Sequence, residues 1–169
     1  MRKQNLAVLF GCILSITTSL AVHAEEPTLI LKRPLITMDA AEKVAHATIE
    51  SCRKQGVNVT VTVIDRSGQV ISVLRDTLAM DVTLELSKLK AVTALSMNSV
   101  TGTLTGRYKN PGALEKYDGL LFMPGGVPIN AGGAILGAVG VSGAPDSKVD
   151  ELCAQAGVRA IAADLEMAM

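Results

Sequence analysis

Apolar residues recur along the chain with two different spacings, one typical of helices and one typical of strands. Between residues 37 and 55 they fall three or four positions apart, which is the spacing of a single buried helix face. Thr37 or Asp39 in front of this stretch and Gly56 behind it are residue types that cap helix ends. We therefore predict a first helix whose buried face consists of Ala41, Val44, Ala45, Thr48 and Cys52.

The next stretch of the chain has the composition and alternation of strands. Residues 57–64 carry β-branched side chains on both faces, and residues 69–75 form a second run rich in Val, Ile and Leu. The residues between them, Asp65–Gly68, are typical of a tight turn. The two segments are therefore predicted to form an antiparallel hairpin that ends at Arg75.

A glycine-rich segment, residues 120–144, carries no charged residue. We predict a short strand that ends in a Pro-Gly-Gly turn, a second strand over residues 127–130, and a central strand over residues 134–141. Glycine within a strand marks a place where a ligand or another backbone approaches closely. The segment is therefore expected to present a wall of bare backbone to a flat ligand or to a second copy of the chain.

Two further helices are predicted from their caps and apolar positions. The second begins at Asp81 or Thr83 and runs to about Met97, and the third begins after Asp146 and ends near Leu165. The face of the third helix that we expect to be buried consists of Val149, Leu152, Cys153, Ala156, Ile161 and Leu165. The fold class is therefore α/β, of the α+β kind, with a five-stranded, mainly antiparallel sheet flanked by helices.

Residues 1–24 have the pattern of a secretory signal peptide. A basic start precedes a mostly apolar stretch, which ends at Ala24 with small residues at the positions that signal peptidase recognises. An uncleaved membrane anchor and a lipoprotein signal ending at Cys12 are the alternatives. We expect cleavage after Ala24, an extended leader over residues 25–37 and a single domain over residues 38–169. The protein would then be periplasmic or secreted, with no stable membrane span.

Charge and composition exclude some function classes. The 16 Lys and Arg residues balance 16 Asp and Glu residues, and no basic cluster interleaves with aromatic side chains, so we expect no nucleic-acid partner. Without the signal peptide, Cys52 and Cys153 are the remaining cysteines. In an oxidising compartment such a pair is a disulfide candidate, and two buried thiols are the alternative.

Few residues carry recognisable chemistry, and we identify no catalytic residue. His46 would be the single histidine of the processed chain, which argues against a catalytic triad or a multi-histidine zinc site. It lies off the apolar stripe of the first helix, either as a surface histidine or as a haem or metal ligand. Arg75 is either an edge ion pair or a clamp for a ligand carboxylate. Lys90 is either a solvated helix residue or part of that clamp.

Several sequence motifs are specific in combination. They are Lys90-Ala91-Val92-Thr93-Ala94, Pro124-Gly125-Gly126-Val127-Pro128-Ile129, Gly137-Ala138-Val139-Gly140-Val141-Ser142-Gly143, the hairpin Val63-Ile64-Asp65-Arg66-Ser67-Gly68, and the pairs Asp150-Glu151 and Ala156-Gly157. Together they resemble the GlcG/HbpS family, which includes the C-terminal domain of PduO-type proteins and is described as haem-binding or haem-degrading. The resemblance covers residues 38–165, nearly the whole predicted domain.

This resemblance implies a five-stranded antiparallel sheet, packing of the first helix against the last, and assembly into dimers or larger rings. Such helix packing would place Cys52 beside Cys153, which favours the disulfide. The resemblance also implies haem binding, with haem degradation or iron handling in some members. His46 is then the candidate ligand to the haem iron. The pocket residues that it implies are Arg75, Lys90, Thr93, Gly125, Gly126, Val127 and Pro128.

The sequence thus predicts a periplasmic or secreted homo-oligomer that binds haem or a related tetrapyrrole. One alternative is an enzyme or enzyme accessory that holds the carboxylate of a small metabolite with Arg75 and Lys90. The other is a non-catalytic structural oligomer whose glycine-rich segment is the subunit interface.

Overall fold

The computed structural model of the protein describes residues 29–110 and 114–169, so the predicted signal peptide lies outside the described residues. Residues 33–169 form one compact unit. Within the described ranges, no helix is long and apolar enough to cross a membrane. The elements in chain order are α1 (Met38–Lys54), β1 (Thr60–Asp65), β2 (Val70–Arg75), α2 (Val82–Met97), the 3-10 helices Thr101–Leu104 and Leu114–Lys116, β3 (Gly126–Ala131), β4 (Ala134–Ser142) and α3 (Ser147–Met167).

The strands form one antiparallel sheet in the order β2-β1-β4-β3, with helices on both faces. Val61 and Val63 point into the core that α1 and α3 share. Thr62 and Ile64, which alternate with them along β1, contact α2 on the opposite face. The molecule therefore has three layers, and the predicted antiparallel sheet, flanking helices and packing of α1 on α3 are confirmed.

Local signals place the helix ends correctly. Thr37 caps α1, where its Oγ1 accepts a hydrogen bond from Ala40 N at 3.2 Å, and Asp146 caps α3 by accepting one from Lys148 N at 2.9 Å. All the residues predicted for the buried face of α1 are buried. Ile36, near the end of the predicted leader, is buried in the same core, so ordered packing begins before residue 38.

The described part of the chain contains four strands, and the prediction of a fifth, just before the Pro-Gly-Gly turn, is wrong. There Leu121 N donates a hydrogen bond to Thr93 Oγ1 at 2.7 Å, and the Phe122 carbonyl accepts one from Thr105 Oγ1 at 3.4 Å. These backbone groups are hydrogen-bonded to side-chain hydroxyls, so the segment does not pair with the sheet. It crosses the end of α2 as an irregular loop instead.

The predicted buried face of α3 is wrong at Leu152, which is 57% exposed. A Cβ at Gly157 would overlap Thr48 Oγ1, so α3 can approach α1 this closely only with Gly157 turned inward. The predicted disulfide between Cys52 and Cys153 lies at the same contact, with the Cα atoms 5.4 Å apart. These contacts fix the rotation of α3, whose buried residues are Asp150, Cys153, Ala154, Gly157 and Ile161.

We expect Gly157→Ala to destabilise the protein by about 1–3 kcal/mol, because the added methyl group is forced against Thr48. Thr48 Oγ1 is buried and has no hydrogen-bond partner in the described part of the chain, so Thr48→Ala should cost less. The double variant should therefore be more stable than Gly157→Ala alone, as measured by urea unfolding of all three variants. If the double variant is no more stable than Gly157→Ala, the close packing of these two residues is contradicted.

Helix α2 of the same chain packs directly against the glycine-rich strands. Gly126 of β3 and Gly140 of β4 are paired across the sheet. A Cβ at Gly126 would overlap the Lys90 carbonyl oxygen, and one at Gly140 would overlap the Ser87 carbonyl oxygen. The expectation that a flat ligand or a second copy lies against this wall is therefore wrong at these two positions, because α2 covers them.

Candidate functional site

A buried ion pair joins α2 to the first turn of α3 at one end of the sheet. Lys90 Nζ lies 2.8 Å from Asp150 Oδ2, and each side chain is 2% exposed. Asp150 Oδ1 accepts a further hydrogen bond from Ala144 N, at 3.0 Å. Taking two charges out of water costs several kcal/mol each, so such a pair is weak evidence for stability. It is therefore a candidate for a functional role.

Both charged residues lie on the inward faces of their helices. Lys90 belongs to the buried stripe of α2, and Asp150 belongs to that of α3. The alternative of a solvated lysine is therefore wrong. The sequence offered one signal that could have identified the pair, namely two residues of opposite charge, each on a stripe of small or apolar residues. The buried residues of α2 are Thr83, Ser87, Lys90, Ala91, Thr93 and Ala94.

Burial raises the pKa of the Asp150 carboxyl above its ordinary value, because the charged form is removed from water. The Lys90 ammonium and backbone hydrogen bonds at Ala144 and Gly143 act to lower that pKa, without cancelling the effect of burial. The carboxyl group consequently takes up a proton more readily than a surface aspartate does. Groups perturbed in this way cluster at functional sites.

A cleft of about 210 Å³ opens beside the ion pair, between α2, the end of β4 and the start of α3, and we name it the Lys90 cleft. Met80, Leu86 and Met123 give it an apolar side. Its polar side is formed by Thr83, Lys90, Ser142, Ser147 and Asp150. The cleft thus combines a short apolar wall with several polar groups that converge on one small volume.

Of the glycines predicted to line a ligand pocket, Gly125 lies against this ion pair. Gly125 has a φ of 124°, in the left-handed region that favours glycine, and a Cβ there would lie 3.0 Å from both Lys90 Cδ and Asp150 Cβ. Gly126 packs on the backbone of α2, and Val127 is buried in the core on the other face of the sheet. All three residues therefore have packing roles in the structure, and ligand binding by them stays a prediction.

The other predicted pocket residues are not among those that line the cleft. Arg75 Nη2 forms an ion pair with Asp81 Oδ1 at 2.8 Å and a hydrogen bond to the Ala79 carbonyl, so its alternative role in an edge ion pair is confirmed. Thr93 anchors the loop before β3, as described above. Pro128 is half-buried on β3. A ligand role for these three residues also stays a prediction.

A second cavity of about 310 Å³ runs between the start of α1 and the end of α3, and we name it the α1–α3 groove. Lys43 and Asp164 are charged residues on its walls. Its larger part is apolar, and the residues concerned are Leu35, Ile36, Ala40, Leu136, Ile161, Leu165 and Met169. An apolar cavity with a few charged groups is the usual form of a small-molecule site.

His46 lies exposed on α1, one turn beyond Lys43 and about 5 Å further along the helix axis. Because α1 and α2 pack on opposite faces of the sheet, His46 is separated from Arg75 and Lys90. In the described part of the chain, no three His, Cys, Asp or Glu residues are placed to hold a metal ion.

Comparison with known proteins identifies the family. The model of a family described as "Haem degrading protein HbpS-like" matches residues 36–159 of the chain. The chain belongs to the HbpS-like family. The resemblance found in the sequence motifs is thereby confirmed.

The chain is also similar to solved structures and to a curated protein. A double mutant of HbpS from Streptomyces reticuli is 35% identical, with a TM-score of 0.75, over 82% of this chain and 94% of that one. PduOC, solved in complex with haem, is 27% identical, with a TM-score of 0.69, over 76% of this chain and 96% of that one. An uncharacterized 15.0 kDa protein of Citrobacter freundii, from a dhaT-dhaS intergenic region, is 32% identical over 114 residues, which are 64% of this chain and 80% of that protein.

In this HbpS-like chain the Asp150-Glu151 pair does more than favour the start of a helix, which is the role that the sequence indicated. Asp150 forms the ion pair with Lys90. Glu151 Oε2 accepts hydrogen bonds from Gly102 N at 2.7 Å and Gly125 N at 3.3 Å. Glu151 therefore ties the 3-10 helix at Gly102 and the turn at Gly125 to the start of α3.

Proposed function

We propose that this HbpS-like protein binds haem or a related tetrapyrrole in an oxidising compartment, the periplasm or the extracellular space. The observation that carries the proposal is the match to PduOC, which was solved as a haem complex. The description of the family as haem-degrading supports it. The disulfide between Cys52 and Cys153 supports the compartment, because such bonds persist in oxidising surroundings.

The residues of the α1–α3 groove and its neighbourhood fit a haem. The groove supplies apolar side chains such as Leu136 and Leu165 for the face of the macrocycle. Lys43 supplies a cation for a propionate, and the exposed His46 supplies an imidazole one helical turn away. Bound haem would supply an iron that a histidine imidazole can ligate. We therefore place the tetrapyrrole on this side of the molecule, with His46 as the iron ligand.

The Lys90 cleft is the less suitable of the two cavities for a macrocycle. Sites for drug-sized ligands measure about 300–1,000 Å³, and the cleft, at about 210 Å³, lies below that range. The α1–α3 groove, at about 310 Å³, reaches the lower end of that range. This comparison favours the groove over the Lys90 cleft. A third cavity is larger, at about 430 Å³, but its lining residues include no histidine and few apolar side chains; they are Gly102, Thr103, Pro124, Lys148, Glu151 and Leu152.

Titration of the purified protein with haemin tests the proposal. We expect a saturable change in the Soret band, and His46→Ala should weaken the affinity at least about tenfold, or about 1.4 kcal/mol, through loss of the axial ligand. Arg75→Gln is the matched control, because Arg75 lies on the opposite face of the sheet, and it should leave the affinity unchanged.

Two outcomes would contradict this placement. Absence of any saturable Soret change would remove haem binding itself. If Arg75→Gln weakened binding while His46→Ala did not, haem would bind on the α2 side of the sheet, and the assignment of the groove would be wrong.

A further inference from the structure

We propose that the Lys90 cleft is a second, separate binding site, and that it takes a small neutral molecule with a carbonyl or hydroxyl oxygen. Nothing in the haem proposal uses this cleft, which lies on the opposite face of the sheet from His46. The proposal is based on unused hydrogen-bonding capacity, on the net charge of the site and on its size.

Unused hydrogen-bond donors point to a ligand oxygen. A lysine ammonium carries three N–H donors. In the described part of the chain, Lys90 Nζ has one acceptor, Asp150 Oδ2, although the side chain is 2% exposed. Donors that stay buried without acceptors are costly, more so on a charged group. The remaining N–H groups of Lys90 therefore require an acceptor within the cleft.

Ser142 supplies a second polar group at the same place. It ends β4, is 5% exposed and lines the cleft. Its hydroxyl group is both a donor and an acceptor. An oxygen in the cleft could thus accept from Lys90, and a ligand hydroxyl could pair with Ser142.

The charge of the site favours a neutral ligand. Lys90 and Asp150 neutralise each other at 2.8 Å, so the buried site carries no net charge. A carboxylate ligand would add an unpaired negative charge close to Asp150, and burying such a charge is expensive. The same argument disfavours a clamp in which Arg75 and Lys90 hold a ligand carboxylate. A second reason is that Arg75 is already paired with Asp81.

The size of the cleft limits the ligand to a short molecule. About 210 Å³ is less than a drug-sized ligand occupies. Met80, Leu86 and Met123 offer contacts for a few carbon atoms, and the polar lining residues offer hydrogen bonds. A ligand of about three carbons, with one or two oxygens, matches both kinds of lining residue.

The probes that test this are hydroxyacetone and lactate, which have the same number of carbons but differ in charge. Each is titrated into the full, haem-free protein labelled with nitrogen-15. Hydroxyacetone should produce saturable shifts at the amides of Leu86, Ser142 and Ala144 and at the Lys90 ammonium. Lactate should bind more weakly at the same positions.

Ser142→Ala removes one hydrogen bond and leaves the ion pair intact, so it should weaken hydroxyacetone binding about 2–10-fold. Ser72→Ala is the matched control, since Ser72 is also a buried strand serine but does not line the cleft. Three results would overturn the proposal: no saturable shift, meaning that solvent alone fills the cleft; tighter binding of lactate; or equal effects of the two serine variants. None of them depends on the haem titration.

Discussion

Lys90→Met should destabilise the protein by about 3–5 kcal/mol, because Asp150 would stay buried without its counter-charge. The loss is expected in the free energy of unfolding measured with urea at pH 7. Asp150→Asn should have a similar effect, since it leaves the Lys90 ammonium unpaired. Its Asn side chain keeps an oxygen for the hydrogen bond from Ala144 N, so that contact does not confound the comparison.

The double variant Lys90→Met/Asp150→Asn separates the contribution of the ion pair from that of side-chain packing. With both charges removed, it should be more stable than either single variant, because no unpaired charge is left inside. If the two single effects simply add, the ion pair contributes no coupling, and the large cost must come from lost side-chain packing instead.

Replacing Cys52 and Cys153 together by Ala should lower the free energy of unfolding by about 2–5 kcal/mol. The bond joins residues separated by 101 positions, and a cross-link that closes so long a loop restricts the unfolded chain strongly. Urea unfolding of the oxidised protein and of the double variant measures the difference.

Thiol labelling supplies the control for the disulfide. Under non-reducing denaturing conditions the oxidised protein should label at neither Cys52 nor Cys153. Both sulfurs are buried in the fold, so a reductant should act on them slowly without denaturant. Two reactive thiols in the denatured, unreduced protein would contradict the bond.

Most of the fold follows from signals that are local in the sequence. The spacing of Val44, Thr48 and Cys52 defines α1, and the turn at Asp65–Gly68 defines the hairpin. The fifth strand is absent because an interaction distant in the sequence prevents it. Leu121 hydrogen-bonds to Thr93, 28 positions earlier, and no pattern within residues 120–123 reveals that competitor.

The candidate sites were harder to predict because they depend on contacts between layers. Lys90 and Asp150 are 60 positions apart, and each by itself looks like an ordinary helix residue. His46 was correctly placed off the buried stripe, yet its separation from Lys90 becomes visible only once α1 and α2 occupy opposite faces. Assembly into dimers or larger rings also involves contacts beyond one chain, and it stays a prediction.

The packing of α2 on the sheet restricts which substitutions the glycine-rich strands can accept. At Gly126, Gly137 and Gly140 any side chain, even the methyl group of alanine, would collide with a carbonyl oxygen of α2 or of β1. At Gly68 and Gly133 the surroundings are open and only the backbone angle matters, so asparagine is an acceptable replacement. In a saturation-mutagenesis library, Gly126, Gly137 and Gly140 should therefore remain invariant among folded variants. Gly68 and Gly133 should accept other residues.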